Sequence, residues 1–130
     1  MKDTIVLVES YPETSAIWAE FLSKLGWRVI VATNLDDGDT AIKSEIERLR
    51  LVLCADWMGG HGINGPDLYQ QRMVDLDINQ VPFVLLVTYR GHGFVEYVES
   101  LGMKVLRRPC SLQLLQKYLR VLLGSESLVP

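Results

Sequence analysis

The sequence predicts a doubly wound α/β domain: one five-stranded parallel sheet with helices on both faces. Two observations carry this. Short apolar runs alternate five times with stretches of helical periodicity, the pattern of a parallel sheet whose crossovers are helices. The runs themselves show no polar–apolar alternation, as expected of strands covered on both faces. With 130 residues, 48% of them hydrophobic and 22% charged, the chain can bury a single core without disulfides or metal staples. That composition excludes a disordered or fibrous chain. Each crossover is expected to be right-handed.

The elements follow in order. Thr4 to Val8 is the first strand. Ile17, Trp18, Phe21, Leu22 and Leu25 share one helical face, stopped at Gly26. Val29 to Ala32 is the second strand. Asp37 or Asp39 caps a helix that carries Ile42, Ile46 and Leu49. Leu51 to Ala55 is the third strand, and Pro66 suits the first turn of a helix through Leu68, Tyr69, Met73 and Leu76. Phe83 to Val87 is the fourth strand, followed by a short helix of Phe94, Val95, Val98 and Leu101 ending at Gly102. Lys104 to Leu106 is the fifth strand, and Leu112, Leu115, Tyr118, Leu119 and Leu122 mark the last helix. Residues 1–123 are expected to form the domain, and 124–130 a tail or the start of a linker.

Composition narrows the function classes. The longest apolar runs are too short to span a membrane. The first strand begins so close to Met1 that no signal peptide is expected. The two cysteines, Cys54 and Cys110, do not make a disulfide framework. A cytoplasmic protein is the expectation. A net charge of -3 argues against direct nucleic-acid binding. Between Lys104 and Arg120, however, stand five basic residues (Lys104, Arg107, Arg108, Lys117, Arg120) and no acid. They form either a solvated face or a docking face for an acidic partner.

In an open parallel sheet, ligands bind beyond the carboxyl ends of the strands. There the sequence places Glu9 and Ser10 after the first strand, Asp56 after the third, Thr88 after the fourth and Arg108 after the fifth. Carboxylate oxygens could hold Mg²⁺ at such an edge, and a hydroxyl and a cation could hold phosphoryl oxygens.

These residues resemble the response-regulator receiver domain of the chemotaxis-regulator type over residues 4 to about 123. The resemblance rests on Val8-Glu9-Ser10-Tyr11-Pro12, Leu53-Cys54-Ala55-Asp56-Trp57-Met58, Val87-Thr88 and Arg108-Pro109, at four strand ends in the family's order. It implies flavodoxin-like strand order 2-1-3-4-5. It implies Asp56 as phosphoacceptor, with Thr88 and Arg108 beside the phosphoryl group. Metal ligands would be Glu9, Asp56 and the Met58 backbone carbonyl. A histidine kinase or phosphotransfer protein would be the donor, and an output domain, partner protein or second copy would dock on the last-helix face. The domain would be a switch and not an enzyme.

Departures from the pattern point to an atypical receiver. Ser10 replaces an acid that ligates Mg²⁺ in the family, so metal binding is expected to be weak. Arg108 replaces a lysine, with a different reach and fork geometry. Tyr89 is bulky where a small residue is usual, Val105 stands at the position of the switching aromatic, and the loop from Gly59 to Gly65 is one residue longer than usual in the family and lacks its proline. A phosphorylation-independent pseudo-receiver that only binds partners is therefore the alternative. In it, Arg108 would neutralise Glu9 and Asp56 and stand in for the metal.

A nucleotide-binding enzyme is the remote alternative. Gly60-His61-Gly62-Ile63-Asn64-Gly65 spells G-x-G-x-x-G, but it follows the third strand after several extra residues, and no acid ends the next strand to hold a ribose. His61 and His92 lack partners at ligand spacing. Trp18 and Trp27 are expected in the core and Trp57 beside the site. No Ser-His-Asp set or reactive-cysteine setting is present.

Overall fold

The computed structural model describes residues 2–56, 64–75, 81–88 and 91–124, with the side chains of 73–75 excepted. The strands are β1 (Thr4–Val8), β2 (Arg28–Ala32), β3 (Leu49–Ala55), β4 (Phe83–Thr88) and β5 (Lys104–Arg108). They alternate with α1 (Pro12–Lys24), α2 (Leu35–Ser44), α3 (Gly65–Asp75), α4 (His92–Ser100) and α5 (Leu112–Leu123). All pairings are parallel, in the order β2-β1-β3-β4-β5.

The unalternating strands are explained by two cores. Ile5, Leu7, Leu53, Val84 and Leu86 face Trp18 and Leu22 of α1 and Leu115, Leu119 and Leu123 of α5. Val6, Val8, Val52, Cys54, Phe83 and Leu85 face Ile42 of α2, Leu68 and Tyr69 of α3, and Val95 and Val98 of α4. Leu49 and Leu51 lie in opposite cores because the β1–β3 register shifts between Thr4 and Ile5, and such a shift turns side chains to the other face.

Several boundaries differ from the sequence reading. Asn34, and neither Asp37 nor Asp39, caps α2: its side chain accepts the Asp37 N–H at 2.8 Å. Three caps of similar chemistry lie within six residues, and only the backbone path selects one. α2 ends at Ser44, so Ile46 follows the helix and Leu49 opens β3. Ile17 is 55% exposed, because α1 buries Ser15, Trp18 and Leu22, and Ile17 sits at the margin of that narrow stripe. β5 runs two residues further than expected, through Arg108. Met73, Leu76, Trp57, Met58, His61, Tyr89 and the loop before Asn64 lie outside the described side chains.

Gly65, the last glycine of the G-x-G-x-x-G string, has a packing role. A Cβ there would come within 2.6 Å of Leu85 Cδ1 and 3.1 Å of the Ala55 carbonyl oxygen. α3 therefore starts flush against the sheet just beyond the third strand. Gly65→Ala is expected to lower the unfolding free energy by about 1–3 kcal/mol, measured by urea denaturation.

At the opposite edge of the sheet, Arg48 donates from Nε and Nη2 to the two oxygens of Asp3, at 3.0 and 2.6 Å. These bonds, with one from the Thr4 hydroxyl, outweigh burial and lower the Asp3 pKa from 3.8 to about 2. A depressed carboxyl pKa stabilises the fold above its unfolded value and loses that contribution as pH falls through the folded value. Asp3→Asn should therefore lower Tm at pH 5 to 7. Its deficit against the wild type should close between about pH 4 and pH 2.

Candidate functional site

The carboxyl ends of β1, β3, β4 and β5 meet because the strands are in register. Val8 pairs with Cys54, Ala55 with Leu86, and Thr88 with Arg108. Glu9 and Asp56 thus leave adjacent strands within one residue of each other. Their backbone N–H groups continue the ladders, Glu9 to the Ala32 carbonyl at 2.9 Å and Asp56 to that of Leu86 at 3.0 Å. Both side chains are buried, with Glu9 at 1% and Asp56 at 6% exposure. Thr88 and Arg108, on neighbouring strands, are partly buried.

A buried carboxylate requires compensation. Arg108 Nη1 donates to Glu9 Oε1 in an ion pair, and Glu9 Oε2 accepts the Tyr11 backbone N–H at 3.4 Å. The guanidinium carbon lies 5.7 Å from the ring centre of Trp18, within cation–π range. Arg108 Nε is buried with no hydrogen-bond partner among the described residues. A cleft of about 340 Å³ opens beside Glu9, Thr88 and Arg108. It is walled by Tyr11, Thr14 and Trp18 and closed by Pro109 and Cys110.

The thiols report the local field. Burial pushes the Cys54 thiol far up, the carboxylates of Glu9 and Asp56 push it further, and Arg108 opposes them. All three charges therefore converge behind the strand ends. Burial also raises the Cys110 thiol, against Arg108. Both cysteines stay protonated near neutral pH, which leaves no activated sulfur nucleophile.

The arrangement does not fit a divalent cation well. Mg²⁺ takes several oxygen ligands, carboxylates foremost, and among the described residues no three His, Cys, Asp or Glu side chains cluster to hold a metal. Glu9 has both oxygens engaged, and Ser10 contributes a neutral hydroxyl. Of the expected ligands, Met58 lies outside the described residues.

The structure brings together four of the expected site residues: Glu9, Asp56, Thr88 and Arg108. Arg108 also leaves the expected basic face, since its side chain turns inward while Lys104, Lys117 and Arg120 stay exposed. His92 is a solvated helix-end residue, 2.9 Å from Glu96. Trp18 was missed as a site residue. Its periodicity marks it as core, which it also is, and only the fold shows that its ring meets Arg108.

No known protein-family profile matches the chain, and no curated protein matches it in sequence. Solved structures do match, over nearly its whole length. A response regulator receiver domain from Clostridium thermocellum superposes with a TM-score of 0.82 at 14% identity, over 95% of this chain and 95% of the other. Chemotaxis protein CheY4 of Vibrio cholerae gives 0.81 at 13% identity, over 93% and 98%. The BeF3-activated N-terminal receiver domain of RstA from Klebsiella pneumoniae gives 0.78 at 24% identity, over 91% and 96%. The chain has the flavodoxin-like fold of response-regulator receiver domains.

Proposed function

We propose that this domain is an atypical signal receiver, with Asp56 as the phosphoryl acceptor. The observation that carries the reading is the convergence of buried Asp56 with Glu9, Thr88 and Arg108 at the carboxyl edge of a receiver-type sheet. In the reaction, an Asp56 carboxylate oxygen attacks the phosphorus of a phosphohistidine on a histidine kinase or phosphotransfer protein. The P–N bond breaks, the imidazole, already protonated at its other ring nitrogen, leaves as a neutral histidine side chain, and an acyl phosphate remains on Asp56. The Thr88 hydroxyl donates to a phosphoryl oxygen, and Arg108 offsets the added charge. Mg²⁺, where bound, would shield the phosphoryl oxygens from the carboxylates. Glu9, Asp56 and the Met58 carbonyl are the groups that would hold it, weakly.

The domain would act as a switch, not as an enzyme, and in the cytoplasm. No helix among the described residues is long and apolar enough to cross a membrane. An output domain, partner protein or second copy would read the α4–β5–α5 face, where exposed Lys104, Arg107 and Lys117 accompany exposed Tyr97, Leu114 and Val121. Residues 1–123 would form the working unit and 124–130 a tail.

Incubation with acetyl phosphate and Mg²⁺ should add one phosphoryl group, about 80 Da, to the wild type and none to Asp56→Asn, by intact-protein mass spectrometry. An adduct that survives the substitution would remove Asp56 from the role. The second reading, a phosphorylation-independent binding module, is favoured by the Arg108–Glu9 pair, because that pair already places a cation at the edge. A wild type that stays unmodified while still capturing its partner would establish it.

A further inference from the structure

We propose that Trp18 is a positioning residue for Arg108, and that the stacked Trp18–Arg108–Glu9 set supplies the site's cation where a divalent metal would otherwise bind. The proposal rests on reading this edge as the receiver site and concerns how that site is kept closed to metal.

Two contacts define the guanidinium's place. Nη1 pairs with Glu9 Oε1, and the guanidinium carbon stands 5.7 Å from the indole centre. Trp18 is 6% and Glu9 1% exposed, and the Arg108 side chain 14%. Both interactions gain strength away from water. Arg108 Nε remains buried without a partner among the described residues, which opposes this placement. Hydrogen-bond satisfaction alone therefore does not select the geometry; the indole face and Glu9 do.

The charge balance follows. Glu9, Asp56 and Arg108 together carry one net negative charge, and Ser10 adds none. A metal ion would have to displace the guanidinium from Glu9 to gain that carboxylate. The cleft beside Arg108, walled partly by Trp18, offers the guanidinium room to swing away. Trp18 is what holds it back. Removing the aromatic face should free Arg108, uncover Glu9 and open the edge to metal.

The test is Mn²⁺ binding to the full chain, read from the electron paramagnetic resonance signal of free Mn²⁺, with folding verified by circular dichroism. Wild type should bind weakly. Trp18→Leu, which keeps an apolar side chain but removes the ring, should tighten Mn²⁺ binding about fivefold, in line with a cation–π contact of this kind. Trp18→Phe, which keeps a ring, should stay within about twofold of wild type. Arg108→Met should also tighten binding, and Trp18→Leu should add nothing in that background.

Equal gains from Trp18→Leu with and without Arg108 would make the effect merely structural and overturn the proposal. So would no gain at all. Wild-type binding already below millimolar would overturn it too, without touching Asp56 as acceptor, which the phosphoryl adduct tests independently. Should the leucine or methionine variants fail to fold, the Arg108 Nε–H resonance decides. In wild type it should carry an upfield ring-current shift that Trp18→Phe reduces. A wild-type resonance without that shift rejects the stack.

Discussion

Arg108→Met should destabilise the domain by about 3–5 kcal/mol, because it leaves the Glu9 carboxylate buried without its cation. Glu9 is 1% exposed, and the only other hydrogen bond to its carboxylate given by the described residues is the long one from the Tyr11 N–H. The loss should be visible as a lower urea midpoint with an unchanged slope. Glu9→Gln in the same chain should restore much of it, since a neutral amide in that place costs far less than an unpaired charge. The double variant thus separates the worth of the pair from the penalty of breaking it. A loss below about 1 kcal/mol in the single variant would mean that the pair behaves as a solvated surface bridge, and the argument for an internal cation would fail with it.

Ser10→Asp should tighten Mg²⁺ binding by about tenfold or more, roughly 1.4 kcal/mol, because it adds the one kind of ligand this edge lacks. Mg²⁺ loses its waters reluctantly, so the number of carboxylates weighs heavily. Asp56 would then have an acidic neighbour other than Glu9, which Arg108 occupies. Without metal the variant should be less stable than wild type, since three carboxylates would share one edge. Added Mg²⁺ should recover the difference in a thermal melt. Calorimetric titration of both proteins measures the affinity. Equal Mg²⁺ binding by wild type and variant would show that Ser10 is not the lesion.

These two substitutions address the two sides of one balance. Arg108→Met removes the resident cation, and Ser10→Asp adds charge for an external one. Their outcomes also separate the two readings of the domain. A site that needs Mg²⁺ for phosphoryl transfer should respond strongly to Ser10→Asp in the acetyl phosphate reaction. A module that works through its fixed ion pair should respond to Arg108→Met and be indifferent to Mg²⁺.

Much of the architecture was legible in the residues. Strands such as Leu51–Ala55 and Phe83–Val87 are apolar without alternation because both faces are covered, and that is a property of the pattern itself. The placement of Glu9, Asp56, Thr88 and Arg108 follows from it, since a polar residue that ends a strand or directly follows it must emerge at the sheet's edge. Local competition was less legible. Asn34, Asp37 and Asp39 could each cap α2, and the apolar pattern of Ile42, Ile46 and Leu49 continues across the end of that helix into β3, so periodicity alone does not mark the break.

The sequence by itself determined that five strands and five helices alternate, and which side chains end up at one edge, because burial on two faces and strand-end position depend on short-range pattern. The tertiary structure decided what those side chains do to one another. The basic run from Lys104 to Arg120 looks uniform along the chain. Yet β5 extends to Arg108 and turns that one guanidinium inward to Glu9, 99 residues away, while Lys104, Lys117 and Arg120 stay in water. Trp18 reads as core on its helix and becomes part of the site only because α1 packs where β5 ends. Pairing between distant residues depends on how elements cross in space, and periodicity within one element carries no information about that.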